Sequence, residues 1–310
     1  MAKLSKPRAG SLQFWPRKRA EHFLPSVNWK PVKGEGILGF IAYKVGMATA
    51  LVKDTTDKSM TANKRIYIPV TILETPNMKI FSVRFYNHGQ VIKEVVVSTD
   101  SLLKKVVRIP KTAGKLEIPP VYDDIRILVY SLAHQTTVKK TPDLAELAIG
   151  GGNKLDLVKS LIGKEITVKN VLKFSLLDVR GLTKGKGLEG AVPRFGITLK
   201  SHKSEKGVRR PGSLAPWHPA RVTFRTPQAG QLGMFTRVHY NLRIINLNTI
   251  TEKNINPGTG FKNYGRVQTS YVIVKGSVQG PPKRQILITP ALRPTKEQVK
   301  KKYEFMELIL

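Results

Sequence analysis

The chain has no cysteine, which removes disulfides, cysteine-ligated zinc and thiol nucleophiles together and fits a reducing compartment. Acidic residues are scarce: 21 Asp and Glu stand against 53 Lys and Arg in 310 residues, a formal net charge of +32. General acid–base and two-metal chemistry need converging carboxylates, so an enzyme is not expected. His202, His218 and His239 have no ligand spacing and no acidic cluster nearby, so neither a metal nor a cofactor is expected. No segment approaches the roughly 18 apolar residues of a spanning helix, and no basic amphipathic helix recurs, which argues against a membrane partner. The opening stretch MAKLSKPRAGSLQFWPRKRA lacks the apolar run of a secretory signal and is expected to stay in the mature protein.

What is present is positive charge. A surplus this large repels itself in a compact state, and phosphate is the usual neutralising partner, so nucleic acid is favoured. Hydrophobic residues still make up 41% of the chain, enough for a real core. Residues 1–33 hold five Lys and three Arg against Glu21, with Phe14, Trp15, Phe23 and Trp29 interleaved and four prolines breaking the backbone. This reads as an irregular arm whose cations suit phosphates and whose aromatics suit exposed bases.

From Gly36 the pattern changes to short runs rich in β-branched and aromatic residues. GILGFIAYKVGMATALV, RIYIPVTILE, FSVRFYN, part of the run from 156 to 181, HYNLRIINL and SYVIVKGSV all read as strands. Separated strands of this kind suggest a barrel interrupted by insertions. The stretch 87–165 is less basic: Asp100 is placed to cap SLLKKVV, IRILVYS reads as a buried strand, and Asn153 is placed to cap KLDLVKSLI, whose Leu155, Val158, Leu161 and Ile162 share one face. In TPDLAELAIGG the alternation of Ala145, Leu147 and Ile149 favours a strand over a helix started by Thr141 and Pro142.

Residues 181–240 contain five Lys and six Arg against Glu189 and Glu205, with nine glycines. Glycine permits close backbone approach, and Lys184, Lys186, Arg209, Arg210, Arg221, Arg225 and Arg237 supply closely spaced cations, a combination suited to a loop threaded between RNA helices. Arg17, Lys18 and Arg19 of the arm, with Arg194, His202, Lys203, Trp217 and His218 of the same segment, complete the expected RNA-binding set. Gly185, Gly187 and Gly190 satisfy a GxGxxG spacing, but Pro193 follows at once and the flanking strand–helix context of a dinucleotide site is missing. Two other readings remain open from the residues alone: an RNA-modifying or translation enzyme on a similar barrel, and a DNA-compacting protein.

Several separate motifs narrow the choice. DVRGLTKGKGLEGAVPRFG, RRPGSLAPWHPARV, QAGQLGMFTRVHYN and GFKNYGRVQTSYVIVKGSVQGPPKR, preceded by SLQFWPRKRA and GFIAYKVGM, resemble the archaeal and eukaryotic branch of the ribosomal protein L-three family from about residue 11 to 290. The resemblance implies a mainly β fold with a translation-protein-type barrel over 36–86 and 166–280 and an α/β insertion over 87–165. It also implies a basic N-terminal extension over 1–35, a glycine-rich internal loop over 182–235 and a C-terminal extension over 281–310. It further implies a structural role in the large ribosomal subunit in the cytoplasm: binding of the large-subunit ribosomal RNA early in assembly, with the internal loop reaching toward the peptidyl transferase centre. Expected neighbours are proteins of the L-fourteen and L-twenty-four-e families rather than a second copy of the chain. By position, Trp217, His218 and Pro219 correspond to the loop tip, and Arg209 and Arg210 to the basic stretch before it. Where many eukaryotic relatives carry a histidine ahead of that stretch, this chain reads SEKGVRR, which puts a modification at that histidine in doubt here.

Overall fold

The computed structural model describes residues 13–309; the first part of the expected arm, 1–12, lies outside them. In chain order the strands are β1 (Gly36–Ile37), β2 (Phe40–Asp54), β3 (Arg65–Thr75), β4 (Met78–Asn87), β5 (Gln90–Val96), β6 (Asp124–Ser131), β7 (Leu144–Gly150), β8 (Leu176–Leu182), β9 (Gly187–Glu189), β10 (Gly230–Leu232), β11 (Thr236–Thr249), β12 (Ser270–Lys275), β13 (Gln285–Pro290) and β14 (Tyr303–Ile309). Four short helices accompany them: α1 (Lys154–Leu161), α2 (Val168–Val171), α3 (Ala191–Phe195) and α4 (Lys296–Lys300). The chain divides into two compact units, one holding 22–182 with 236–310 and the other holding the N-terminal segment to Glu21 with Thr183–Phe235.

In the larger unit the order β13-β8-β11-β12-β3-β2 closes on itself, because Phe40–Tyr43 of β2 also pair with Gln285–Ile288 of β13. The far half of β2 carries β14 as an added strand instead. A second sheet, β1-β7-β6-β4-β5, lies in the same unit. Side chains alternate across a strand, and β12 shows what that does here: Tyr271 and Ile273 enter one buried cluster, with Val70 and Ile72 of β3, while Val272 and Val274 enter another, with Val179, Ile127 and Leu147. Both faces are covered, so the run reads as continuously hydrophobic. Tyr43 ties the barrel to the second sheet: its buried hydroxyl donates to Asp143 at 2.5 Å and lies 2.7 Å from the Ser131 hydroxyl.

Several expectations hold in detail. Asp100 accepts from the Leu102 amide at the start of a 3₁₀ turn, TPDLAELAIGG contains the strand β7, and α1 buries Val158 with Leu155, Leu161 and Ile162 packed behind it. Asn153 stands at the head of α1, but its side chain makes no capping bond.

Others are corrected. The FSVRFYN strand, read with the barrel, is β4 and pairs with β5 and β6 in the second sheet, so that sheet runs across the boundary expected at residue 87. Residues 285–290, placed in a C-terminal extension, form a barrel strand between β2 and β8. Trp29 is not a base-stacking residue of a free arm: it is buried in the main core with Val32. Gly39 makes the space, since a Cβ there would come 3.2 Å from the Trp29 ring and 2.7 Å from Leu147.

Candidate RNA interface

The smaller unit is built with almost no interior. Of its described residues only Gly233 is buried, and thirteen Lys and Arg over 13–21 and 183–235 face three Glu. A two-stranded ribbon forms its stem, with Gly187–Glu189 paired to Gly230–Leu232, and α3 follows the first strand. Gly233 is required there: with φ of 78°, it approaches so closely that a Cβ would sit 2.0 Å from the Lys184 carbonyl oxygen.

Arg194, on α3, fastens the N-terminal segment to this stem. Its guanidinium donates to the carbonyls of Gln231 at 3.0 Å, Gln228 at 2.9 Å and Arg17 at 3.1 Å. Arg17 returns a bond to the Arg194 carbonyl and lies with its guanidinium carbon 4.2 Å from the Phe195 ring centroid and 5.3 Å from that of Trp15. Trp15 packs on Phe195 at 5.6 Å and edge-on to Phe224 at 6.0 Å, and the Ala20 amide donates to the Met234 carbonyl. Burial lowers Arg194 from the ordinary guanidinium value and the nearby Arg17 charge acts the same way, yet Arg194 remains a cation.

Beyond the stem the loop is organised by short-range bonds. The Lys200 amide donates to the Val208 carbonyl, closing a turn that displays His202 and Lys203. The Thr226 hydroxyl donates to the Leu214 carbonyl at 3.0 Å, closing a second loop that displays Trp217, His218, Arg221 and Arg225. Trp217 is 88% exposed, and among the described residues its one ring contact is with His218, so it is not a core residue. Arg209 and Arg210 stand exposed between the two turns, and Lys18, Arg19, Lys184 and Lys186 are exposed nearer the stem. Arg237 belongs to the other unit, on β11, half-buried, with its guanidinium donating to the Thr236 carbonyl.

The fifteen expected site residues therefore separate by role. Arg17 and Arg194 hold backbone, whereas Lys18, Arg19, Lys184, Lys186, Lys203, Arg209, Arg210, Arg221 and Arg225 are exposed. Among the described residues all nine ion pairs fall in the larger unit, where Arg84, Arg126 and Glu146, for example, form a linked set. The aromatic clasp of Trp15, Phe195 and Phe224 was missed by sequence reasoning, which treated the arm and the loop as separate; the shared enrichment in Arg and aromatics was the available signal.

A closed β-barrel unit and a strongly basic unit with almost no interior define a basic, mainly β protein. The family model described as Ribosomal protein L3 matches residues 1–99 and 116–308, and the chain belongs to that family. Proteins named large ribosomal subunit protein uL3 are similar over nearly the whole length. The one from Methanoregula boonei is 37% identical, covering 94% of each chain. That from Archaeoglobus fulgidus is 38% identical, covering 95% of this chain and 94% of its own. That from Methanocaldococcus jannaschii is 34% identical, covering 96% and 94%. The chain is a constituent of the large ribosomal subunit in the cytoplasm, of the archaeal type, and not an enzyme.

Proposed function

We propose that the smaller unit is the principal grip of this protein on large-subunit ribosomal RNA, and that it acts early in subunit assembly and carries the loop tip toward the peptidyl transferase centre. The observation behind this reading is the thirteen Lys and Arg against three Glu in a limb with one buried residue. Apart from Arg17 and Arg194, which hold backbone carbonyls, these cations form no ion pair among the described residues, and phosphate contacts release counterions from RNA, which supplies the affinity. The exposed Lys and Arg hold backbone phosphates, and exposed Trp217 and His218 meet splayed bases at the tip. Glycine-rich irregular chain carrying aromatics suits folded RNA better than a uniform duplex. The expected protein neighbours, of the L-fourteen and L-twenty-four-e families, rest on the family resemblance.

Sedimentation of tagged protein from cells at low salt tests the reading. Co-migration with the large subunit and its early precursors is expected, and a variant with Arg209, Arg210, Arg221 and Arg225 changed to Gln should be depleted from the precursors. Association with bulk DNA, or full incorporation of that variant, would overturn it.

A further inference from the structure

The larger unit carries a basic pocket that the loop reading does not use. It is a cleft of about 310 Å³ on the outer wall of the barrel, between β11 and the C-terminal segment, at the small end of the range for ligand sites. Its lining includes His239, Tyr240, Arg243, Lys275, Lys301 and Tyr303, and no Asp or Glu.

The backbone is shaped to present these groups. Opposite Asp178 of β8, strand β11 carries an extra residue between His239 and Leu242, a bulge that re-aims side chains. Asp178 is fully buried and holds the bulge in place, accepting from the Asn241 amide at 2.8 Å and the Leu292 amide at 3.0 Å. Asn241 adopts φ of 57°, and its side-chain amide donates to the Arg293 carbonyl at 2.9 Å. Tyr240, on the crest of the bulge, is left 53% exposed.

The side chains around it are oriented. His239 uses Nδ1 against the Ser277 carbonyl at 2.8 Å, which leaves Nε2 as its outward nitrogen. Arg243 is fixed by Nη2, which donates to the carbonyls of Gln298 and Val299, and its other N–H groups meet no acceptor among the described residues. Lys275 donates from Nζ to the Tyr303 hydroxyl at 2.9 Å and lies 4.6 Å from that ring's centroid, and Lys301 is exposed at the rim beside Lys300 and Lys302. Cations around an exposed aromatic ring, with no carboxylate among the residues that line the pocket, match the sugar-phosphate backbone of RNA and one unstacked base.

We infer that this pocket is a second RNA contact, separate from the loop, in which Arg243, Lys275 and Lys301 hold a phosphate while Tyr240 stacks on the adjoining base. The inference rests on the reading of the chain as a ribosomal RNA binder. An acidic peptide would suit the cations but gives Tyr240 no role.

The test uses the full chain and protein-free large-subunit ribosomal RNA. Ultraviolet cross-linking followed by peptide mapping should place an RNA adduct on Tyr240. Changing Tyr240→Ala with Lys301→Gln should weaken binding about tenfold, the scale of one lost stack, and reduce the salt slope by about one phosphate. Tyr240→Phe should restore the stacking share, which separates it from a folding defect visible by thermal melting. If the doubly changed chain binds RNA like the parent, while the loop variant is weakened, the pocket is not an RNA contact although the general reading stands. If the parent chain fails to bind, both fall. Loss of poly-glutamate binding by the doubly changed chain with unchanged RNA binding would assign the pocket to an acidic protein partner and overturn the inference.

Discussion

Arg17 and Arg194 exchange hydrogen bonds: each guanidinium donates to the other's backbone carbonyl, so two residues 177 positions apart lock the N-terminal segment and the loop stem to each other. Both are arginines in a basic limb, yet their N–H groups are directed at carbonyls. Cations are not interchangeable here, and substitutions should show it.

Arg194→Ala removes bonds to four carbonyls, those of Arg17, Gln228, Ala229 and Gln231, and uncovers the Phe195 ring, so residues 13–21 and 228–234 should lose hydrogen-exchange protection while the barrel keeps its own. RNA affinity should fall with little change in salt slope, because no phosphate contact is lost directly. Arg221→Gln should do the opposite, lowering the slope by about one and leaving exchange unaltered. A slope change with Arg194→Ala as large as with Arg221→Gln would show that Arg194 meets phosphate after all.

Trp217→Ala should leave melting temperature and subunit incorporation unchanged, since the ring is exposed and packs on no core. Peptidyl transfer or tRNA accommodation by the resulting subunits should be impaired. Failure of incorporation ahead of activity would reassign Trp217 to folding, and normal values for both would remove the tip from the functional account.

Tyr43→Phe deletes the hydroxyl that joins barrel to second sheet and leaves the Ser131 hydroxyl and the Asp143 carboxylate short of a partner, although Lys139 still pairs with Asp143. Burial raises the Tyr43 hydroxyl well above its ordinary value and Asp143 adds to it, so it acts as a neutral donor throughout the usual pH range. A destabilisation of about 1–3 kcal/mol is expected in denaturant unfolding. An unchanged midpoint would mean that the two sheets are held by apolar packing alone.

Asp54 organises the turn between β2 and β3. Burial by itself would raise its carboxyl, but hydroxyl and amide donors from Thr56, Thr61 and Ser59 outweigh it and hold the group well below the usual carboxylate range. A depressed folded-state value means that the contribution is complete above the unfolded value, about pH 4, and is lost as pH falls through the folded one. Asp54→Asn should therefore lower the melting temperature at pH 7, and the gap to the parent should narrow below about pH 4. A gap independent of pH would assign the effect to shape and not to charge.

The strands of the barrel were legible where the sequence alternates or runs apolar between glycines, as in SYVIVKGSV. A barrel was legible too, but the strand that closes it was not, because closure depends on Gln285–Ile288 meeting Phe40–Tyr43, a pairing across most of the chain that no local pattern announces. Trp29 was misread because the arm's average charge and proline content hid one residue that fits the gap above Gly39. The loop's basic character was plain from composition. The division between Arg194, which grips backbone, and Arg209, Arg210 and Arg221, which stand exposed, needed geometry.

The most direct measurement is the salt dependence of affinity for large-subunit ribosomal RNA, taken for the parent chain and for the variant with Arg209, Arg210, Arg221 and Arg225 changed to Gln. The parent should show a steep linear fall of log affinity with log salt, with the slope reduced by about 0.7–0.9 for each phosphate contact removed in the variant. A nearly flat dependence, or identical slopes for the two proteins, would contradict the assignment of the loop as the principal RNA grip.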